Sequence, residues 1–231
     1  MKWRNTTMDS IKKNTVSAKE QIQNNDYVTY DNKDGEGLRV LFVGNSITKH
    51  GVKHEIGWYG DWGMAASSVQ NDYAHIIMSH VRQEHPDAAF CICQCAEWER
   101  QYKKGSSVLD AYVKARNFNA DIIIMRIIEN CPWSDFEKDI FKQEYDKLVT
   151  YLNLSGKAKI IITTGFWYHT GDEVLENYAQ EHEYPLVKLG DLGQLDEMKA
   201  IGLFEHGGVA VHPGDLGMRT IAKRIISTGE L

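Results

Sequence analysis

The sequence predicts an α/β protein, a three-layer α/β/α sandwich built around a parallel sheet of about five strands. Short apolar runs rich in β-branched residues occur at 38–43, 89–95, 121–128, 158–164 and 185–189. The strongest of these runs show no polar alternation, which is typical of strands covered on both faces. Segments with helical periodicity separate the runs. Such an alternation predicts parallel strands joined by right-handed crossovers.

Four helices are predicted between and after the strands from apolar residues at helical spacing. The stripes are Tyr73, Ile76, Ile77 and Val81, then Phe136, Ile140, Phe141, Leu148 and Leu152, then Val174, Leu175 and Tyr178, and last Met218, Ile221, Ala222 and Ile225. Asn71 is predicted to cap the first helix. Ser134 with Glu137 forms a capping-box pattern before the second helix.

The chain divides into a polar N-terminal extension, residues 1–36, and one domain, residues 37–231. The extension ends in the turn-rich segment DNKDGEG. A net charge of −6 argues against nucleic acid or an anionic membrane as a partner. No apolar run is long enough to span a bilayer, and the N-terminus lacks the apolar core of a signal peptide. These features predict a cytoplasmic protein, and they leave its oligomeric state open.

The four cysteines are predicted to be small buried hydrophobic residues. Cys91, Cys93 and Cys95 alternate along one apolar run, and Cys131 follows another. Alternate residues of a strand share a face but are too far apart to form a disulfide easily. The sequence contains no CxxC pair and no HExxH, so no metal site is predicted.

Three polar residues are placed where predicted strands end or where the last helix begins. Ser46 follows the first apolar run in LRVLFVGNSITKHG, Asn130 follows the run DIIIMRIIEN, and His212 lies in GGVAVHPGDLGM. Ligands of parallel sheets bind beyond the carboxyl ends of the strands. A serine needs a base within hydrogen-bond reach, and an oxyanion needs donors. These residues are therefore candidates for acyl-transfer chemistry.

Other functional assignments of the turn that contains Ser46 are less well supported. The turn does not match GxxxxGK[ST], the phosphate-binding loop. The dinucleotide fingerprint GxGxxG and the nucleophile elbow GxSxG of the α/β-hydrolases are both absent.

Residues 38–231 resemble the SGNH or GDSL hydrolases, a family with a flavodoxin-like sheet. The resemblance rests on VGNSIT, IIEN and VHPGDLGM, which occur in the family's order. It implies that Ser46 is the nucleophile and an oxyanion donor, that Asn130 is a second oxyanion donor and that His212 is the base. It implies no metal and no organic cofactor.

The sequence departs from the family pattern at three positions, one of which is the third-block glycine, replaced by Ile128. The second-block glycine, an oxyanion donor, has no counterpart in CQCAEWERQY, and Gly63 is a weak substitute. The triad aspartate, three residues before the histidine, is replaced by Val209. His212 is then oriented either by a backbone carbonyl or by another acid. The candidate acids are Asp191, Glu205 and Asp215.

Aromatic residues suggest the substrate class. Five of the six tryptophans fall in loops that follow strands, the side on which ligands bind. Four of them are predicted to line a substrate pocket: Trp62, Trp98, Trp133 and Trp167. Flat rings stack on sugar faces, which favours an esterified carbohydrate, although an aromatic acyl group fits nearly as well. Arg126, inside an apolar run, is predicted to pair with Glu97 or Glu99.

The sequence therefore predicts a serine hydrolase that cleaves a carboxylic ester and removes the acyl group from a carbohydrate. Its predicted partner is a small-molecule ester, such as an acylated sugar. The alternative is a non-catalytic module that binds a small molecule or carbohydrate on the same scaffold, because fold does not establish function.

Overall fold

The computed structural model describes residues 27–231, so residues 1–26 of the predicted extension lie outside the described residues. A six-stranded sheet forms the centre, in the order β1-β3-β2-β4-β5-β6. The strands are β1 Val28–Asp31, β2 Arg39–Gly44, β3 Ala89–Gln94, β4 Ile122–Met125, β5 Lys159–Thr163 and β6 Leu186–Val187. All five predicted strands are present.

Strands β2 to β6 run parallel to one another, in the flavodoxin-like order that places β2 between β3 and β4. Val43 pairs with Met125, so the carboxyl ends of β2 and β4 lie side by side. The direction in which strands are added reverses here, and ligands of such folds bind in the crevice outside this point. The predicted fold class is confirmed.

The sheet also contains an edge strand that the sequence did not predict. β1 pairs antiparallel with β3, with Val28 opposite Cys93. Only Val28 of its four residues is buried, because an edge strand needs little apolar surface. β1 falls within residues 1–36, so the sheet begins before the predicted domain boundary.

Helices cover both faces of the sheet. They are α1 Tyr73–Glu84, α2 Ala96–Gln101, α3 Val113–Asn117, α4 Lys138–Leu152, α5 Asp172–Glu181, α6 Gly207–Ala210 and α7 Asp215–Ile226. The apolar stripes of α1 and α7 pack on one face, and those of α4 and α5 pack on the other. Within residues 27–231, no helix is long and apolar enough to cross a membrane.

Two predicted helix starts are shifted. Asp72, not Asn71, caps α1, and its carboxylate accepts a hydrogen bond from the His75 amide at 2.8 Å. Helix α4 begins at Lys138 and no side chain caps it, so the capping box predicted from Ser134 does not form. Aspartate and asparagine cap helices about equally well, so residue type did not distinguish Asn71 from Asp72, and the cap is one residue further along than predicted.

Gly44, the last residue of β2, lets the chain turn tightly into the loop that follows. A Cβ atom at this position would overlap the Thr48 side chain. The Thr48 hydroxyl is buried and bonded to the Tyr73 hydroxyl at 2.7 Å, so it cannot move aside freely. A side chain at position 44 would therefore disturb the turn itself.

We expect Gly44→Ala to destabilise the fold by roughly 1–3 kcal/mol, the usual cost of overpacking a core. The measurement is chemical denaturation of the variant against the wild type. Gly51→Ala is the matched control, because nothing lies within 4 Å of a Cβ there. Equal stability of the two variants would contradict this account of Gly44.

Candidate active site

Ser46 and His212, far apart in the sequence, meet at the carboxyl edge of the sheet. The Ser46 Oγ lies 2.9 Å from the His212 Nε2. On the other side of the ring, Nδ1 lies 2.7 Å from the Gly208 carbonyl oxygen. A carbonyl can only accept, so Nδ1 carries the proton and Nε2 accepts from the Ser46 hydroxyl. This is the arrangement of a nucleophile and its general base.

Backbone hydrogen bonds hold the Ser46 turn. The Asn45 carbonyl accepts from the amides of Thr48 and Lys49, each at 2.9 Å. The Ser46 carbonyl accepts from the Met64 amide at 2.8 Å, which ties the turn to the following loop. Ser46 is half-buried while Asn45 is fully buried, so the turn presents the serine hydroxyl at the rim.

The loop that carries His212 is fixed in a similar way. The His212 amide donates to the Val209 carbonyl at 3.0 Å, and its carbonyl accepts from the Ala200 amide at 2.9 Å. Val209 is fully buried in an apolar cluster that also contains Trp58 and Ala200. The position three residues before the histidine thus serves packing here, and the ring is oriented by the Gly208 carbonyl.

The acids considered for the orienting role are engaged elsewhere or exposed. Asp191 forms a two-pronged ion pair with Arg224, both contacts at 2.6 Å. Asp215 accepts from the amide and hydroxyl of Ser67 at 2.8 and 2.7 Å. Glu205 is exposed. Of the two arrangements left open by the sequence, the structure has the one with a backbone carbonyl.

Asp215 lies at the start of the last helix but does not cap it. Gly214 occupies the cap position, and Asp215 is the first residue of α7. Its carboxylate instead connects α7 to the loop before α1 through Ser67 and Asn71.

Burial, with a smaller contribution from the nearby His50, lowers the pKa of His212 to about 4 against the opposing effect of the Gly208 carbonyl. The indole of Trp167 packs edge-on against the imidazole, with ring centroids 5.1 Å apart. Desolvation disfavours the charged imidazolium. His212 is therefore neutral at pH 7, the form that a general base requires.

Asn130 lies where the chain leaves β4, beside the end of β2. Its Nδ2 donates to Glu99 Oε2 at 2.7 Å, and its Oδ1 accepts from Arg100 Nη2 at 3.4 Å. Asn130 is half-buried, whereas Glu99 is fully buried. The structure thus brings Asn130 to the predicted edge and fixes which end of its amide is the nitrogen.

Few groups besides Asn130 are free to donate a hydrogen bond near Ser46. The Gly63 amide donates to Asp72 Oδ2 at 3.1 Å, so it is already committed to a buried carboxylate. Helix α2 begins at Ala96, directly after β3, where the family's second-block glycine is expected. Within residues 27–231, no hydrogen bond takes up the Ser46 amide. That amide and the Asn130 side chain are the donors that remain.

A buried polar network lies beneath the serine turn, and sequence reasoning identified only part of it. Arg126 pairs with Glu129 at 2.6 Å, so the predicted pairing with Glu97 or Glu99 is wrong. The sequence could have indicated this pair, because Glu129 follows Arg126 by only three residues. Asn45 joins the network by donating to Glu129 Oε2 at 2.6 Å and to Glu99 Oε1 at 3.0 Å.

The predicted tryptophan wall is only partly present. Trp98 is 1% exposed, and its ring packs in the core, so its assignment to a substrate pocket is wrong. Trp62 is half-buried, with its Nε1 bonded to the Ala66 carbonyl. Trp133, in contrast, is 57% exposed beside Tyr168, which is 60% exposed. Trp98 differs because α2 starts immediately after β3 and turns that ring inward.

The four cysteines are free and buried, as predicted. Among the described residues, no group of three or more histidine, cysteine, aspartate or glutamate side chains could hold a metal ion.

Comparison with known proteins supports the fold through structure, not through sequence. No protein-family model matches the chain, and no curated protein matches it. A family two carbohydrate esterase from Clostridium thermocellum matches with a TM-score of 0.57 and 16% identity, over 84% of this chain and 65% of that chain. An acetyl xylan esterase, AlAXEase, matches with a TM-score of 0.52 and 16% identity, over 83% of this chain and 99% of that chain.

A two-domain esterase active on acetylated mannans also matches, with a TM-score of 0.51 and 16% identity. The match covers 85% of this chain and 50% of that chain, so this chain spans about half the length of the two-domain esterase. At such identities the likeness shows the fold, which is the flavodoxin-like fold predicted from the three sequence blocks.

We expect the His212 imidazole to titrate near pH 4, well below an ordinary histidine at about 6.5. Nitrogen-15 NMR of the histidine rings measures this directly, and it also reports whether the neutral ring carries its proton on Nδ1. His212→Gln assigns the signal by removing it. A midpoint at or above 6.5, or a proton on Nε2 of the neutral ring, would contradict the geometry described above.

Proposed function

Because the chain has the fold of the SGNH or GDSL hydrolases, we propose that it is a serine esterase that removes an acyl group from a carbohydrate. The observation that carries the proposal is the 2.9 Å contact between Ser46 Oγ and His212 Nε2, with Nδ1 held by the Gly208 carbonyl. A serine alone is a poor nucleophile, and a neutral imidazole in this tautomer is the base that activates it.

The reaction follows from these positions. Ser46 Oγ attacks the ester carbonyl carbon while Nε2 of His212 takes its proton. The Ser46 amide and the second Nδ2 hydrogen of Asn130 donate to the oxyanion that forms. The imidazolium then protonates the departing alcohol, and an acyl-enzyme remains. Water, deprotonated by His212, attacks the acyl-enzyme, and the proton returns to Ser46 as the acid leaves.

A carbohydrate as the alcohol is supported by two considerations. Trp133 and Tyr168 are exposed aromatic side chains whose ring centroids lie 6.4 Å apart, on loops that follow β4 and β5. Aromatic faces at a rim suit the apolar faces of sugars. Of the proteins that share the fold, one is an esterase active on acetylated mannans and another is an acetyl xylan esterase.

We expect Ser46→Ala to reduce turnover of short-chain aryl esters by at least about 10⁴-fold, since removal of a catalytic serine alone has cost about 10⁶ in a serine protease. Ser227→Ala, a serine whose hydroxyl bonds the Arg224 carbonyl on the surface, is the matched control and should retain wild-type turnover. A fluorophosphonate probe followed by mass spectrometry should label Ser46 in the wild type. A folded chain that is neither labelled nor active would favour the non-catalytic binding module.

We expect Trp133→Ala to raise KM for acetylated oligosaccharides by roughly fivefold, because stacking on an aromatic side chain contributes on the order of 1 kcal/mol. The kcat on those substrates should change little. Hydrolysis of a small aryl acetate is the internal control and should be unaffected, since it has no sugar to stack. An equal loss on both substrates would show that Trp133 supports the fold of the site instead of binding sugar.

A further inference from the structure

Glu99 is a fully buried carboxylate whose hydrogen-bond partners are all donors. Its Oε1 accepts from the Ile128 amide at 2.6 Å and from Asn45 Nδ2 at 3.0 Å. Its Oε2 accepts from Asn130 Nδ2 at 2.7 Å, and the Asn130 amide approaches Oε1 at 3.4 Å. One side chain thus joins the residue before the proposed nucleophile to the proposed oxyanion donor.

No ionic partner accounts for a carboxylate at this position. The buried guanidinium in the network, Arg126, makes its ion pair with Glu129 at 2.6 Å, and no ion pair engages Glu99 within residues 27–231. A buried charge without an ionic partner costs several kcal/mol unless hydrogen bonds compensate it. The network therefore holds two carboxylates and one guanidinium, which pairs with Glu129, and hydrogen bonds from amides compensate Glu99.

The two contacts of the Asn130 side chain fix its orientation. A primary amide has two N–H donors and one carbonyl acceptor. One N–H points to Glu99, and Arg100 donates to the carbonyl. The second N–H has no partner among the described residues. Since the amide is planar, fixing one N–H fixes the direction of the other.

We propose that Glu99 is a positioning residue, which holds Asn45 and Asn130 in one plane of hydrogen bonds so that the second Asn130 N–H meets the oxyanion. The proposal rests on the esterase function proposed above. Glu99 does not touch the substrate. It acts on the oxyanion through Asn130, while the hydrogen bond from Asn45 holds the other oxygen of the Glu99 carboxylate in place.

The charge state of Glu99 should then control the reaction. Burial and the negative charge of Glu129 raise the pKa of Glu99 to about 7, against the hydrogen bonds of Asn130 and Asn45 and the charge of Arg126. Arg126 and Glu129, both from the chain that leaves β4, are the charged groups that influence it, and Glu99 in turn raises the pKa of the neighbouring Cys131 thiol, which is raised chiefly by burial. Four N–H groups already donate to the Glu99 carboxylate. A proton on Glu99 would add an O–H donor among them and weaken the acceptor to which Asn130 donates.

The test uses Glu99→Gln in the full chain, with kcat and KM for an aryl acetate measured from pH 4 to 9. Loss of one oxyanion donor costs about 10²–10³ in turnover, and we expect a drop of about 10² in kcat with KM nearly unchanged. The wild type should gain activity as pH rises through about 7, and the variant should lack that rise. Glu144→Gln, at a buried glutamate of α4 that pairs with Lys147, is the matched control and should behave as wild type.

A double-mutant comparison separates positioning from general damage. If Glu99 acts through Asn130, then Glu99→Gln should cost less than about threefold further in an Asn130→Ala background, since coupled residues are not additive. Full additivity of the two losses, or a pH profile unchanged by Glu99→Gln, would overturn the proposal.

A measurement that does not depend on turnover tests the positioning role of Glu99 separately from the proposed esterase activity. In NMR spectra of the wild type, the Asn130 side-chain amide protons should shift with a midpoint near pH 7, and this holds whether or not Glu99→Gln folds. An inactive chain with that titration would refute the esterase but retain the Glu99–Asn130 contact. If the chemical shifts of the Asn130 amide protons do not change between pH 5 and 9, the positioning role is refuted, even in an active enzyme.

Discussion

The geometry of the site depends on one buried ion pair, Arg126 with Glu129, at the carboxyl edge of the sheet. Glu129 accepts from Arg126 at 2.6 Å, from Asn45 at 2.6 Å and from the Phe166 amide at 2.9 Å, so one carboxylate joins the chain ends of β2, β4 and β5. Arg126 also donates to Asn45 Oδ1. Removing one member of such a pair leaves an uncompensated buried charge and typically costs about 3–5 kcal/mol. The turn that presents Ser46 is attached to the network through Asn45, and it cannot move without breaking these contacts.

The same pair determines how charge is distributed beneath the serine. Burial alone would raise the pKa of Glu129, but the Arg126 charge and the donors around it hold the pKa below its usual value. Glu129 therefore keeps its negative charge, and Glu99 faces that charge without a cation of its own. The network consequently has one carboxylate that is charged at neutral pH and supports the structure, and another whose protonation changes near neutral pH. Two carboxylates in one site with separated pKa values are a common sign of different roles.

Much of the fold and the placement of the dyad could be predicted from the sequence, because both follow from local patterns. Apolar runs and helical stripes locate the strands, and the strand-end rule brings Ser46 and His212 to one edge. What escaped prediction depends on tertiary contacts. The edge strand β1 has too few apolar residues to be recognised alone. Trp98 looked like a loop residue, but the early start of α2 turns it into the core. The function of Glu99 depends on which amides the fold brings to it, and no spacing in the sequence encodes that.

The Gly208 carbonyl explains how His212 can be oriented without a triad acid, and it also limits the chemistry. A carbonyl fixes the tautomer as a carboxylate would, but it supplies a dipole in place of a full negative charge. The ion pair below does not replace that charge, since Glu129 raises the pKa of His212 while Arg126 lowers it. The imidazolium formed during acyl transfer is thus weakly stabilised, in a half-buried position that disfavours it. In the proposed reaction, most of the electrostatic stabilisation must then come from the oxyanion side, where the Ser46 amide and Asn130 remain. A site with a weakly supported base and two oxyanion donors depends strongly on how rigidly those donors are held.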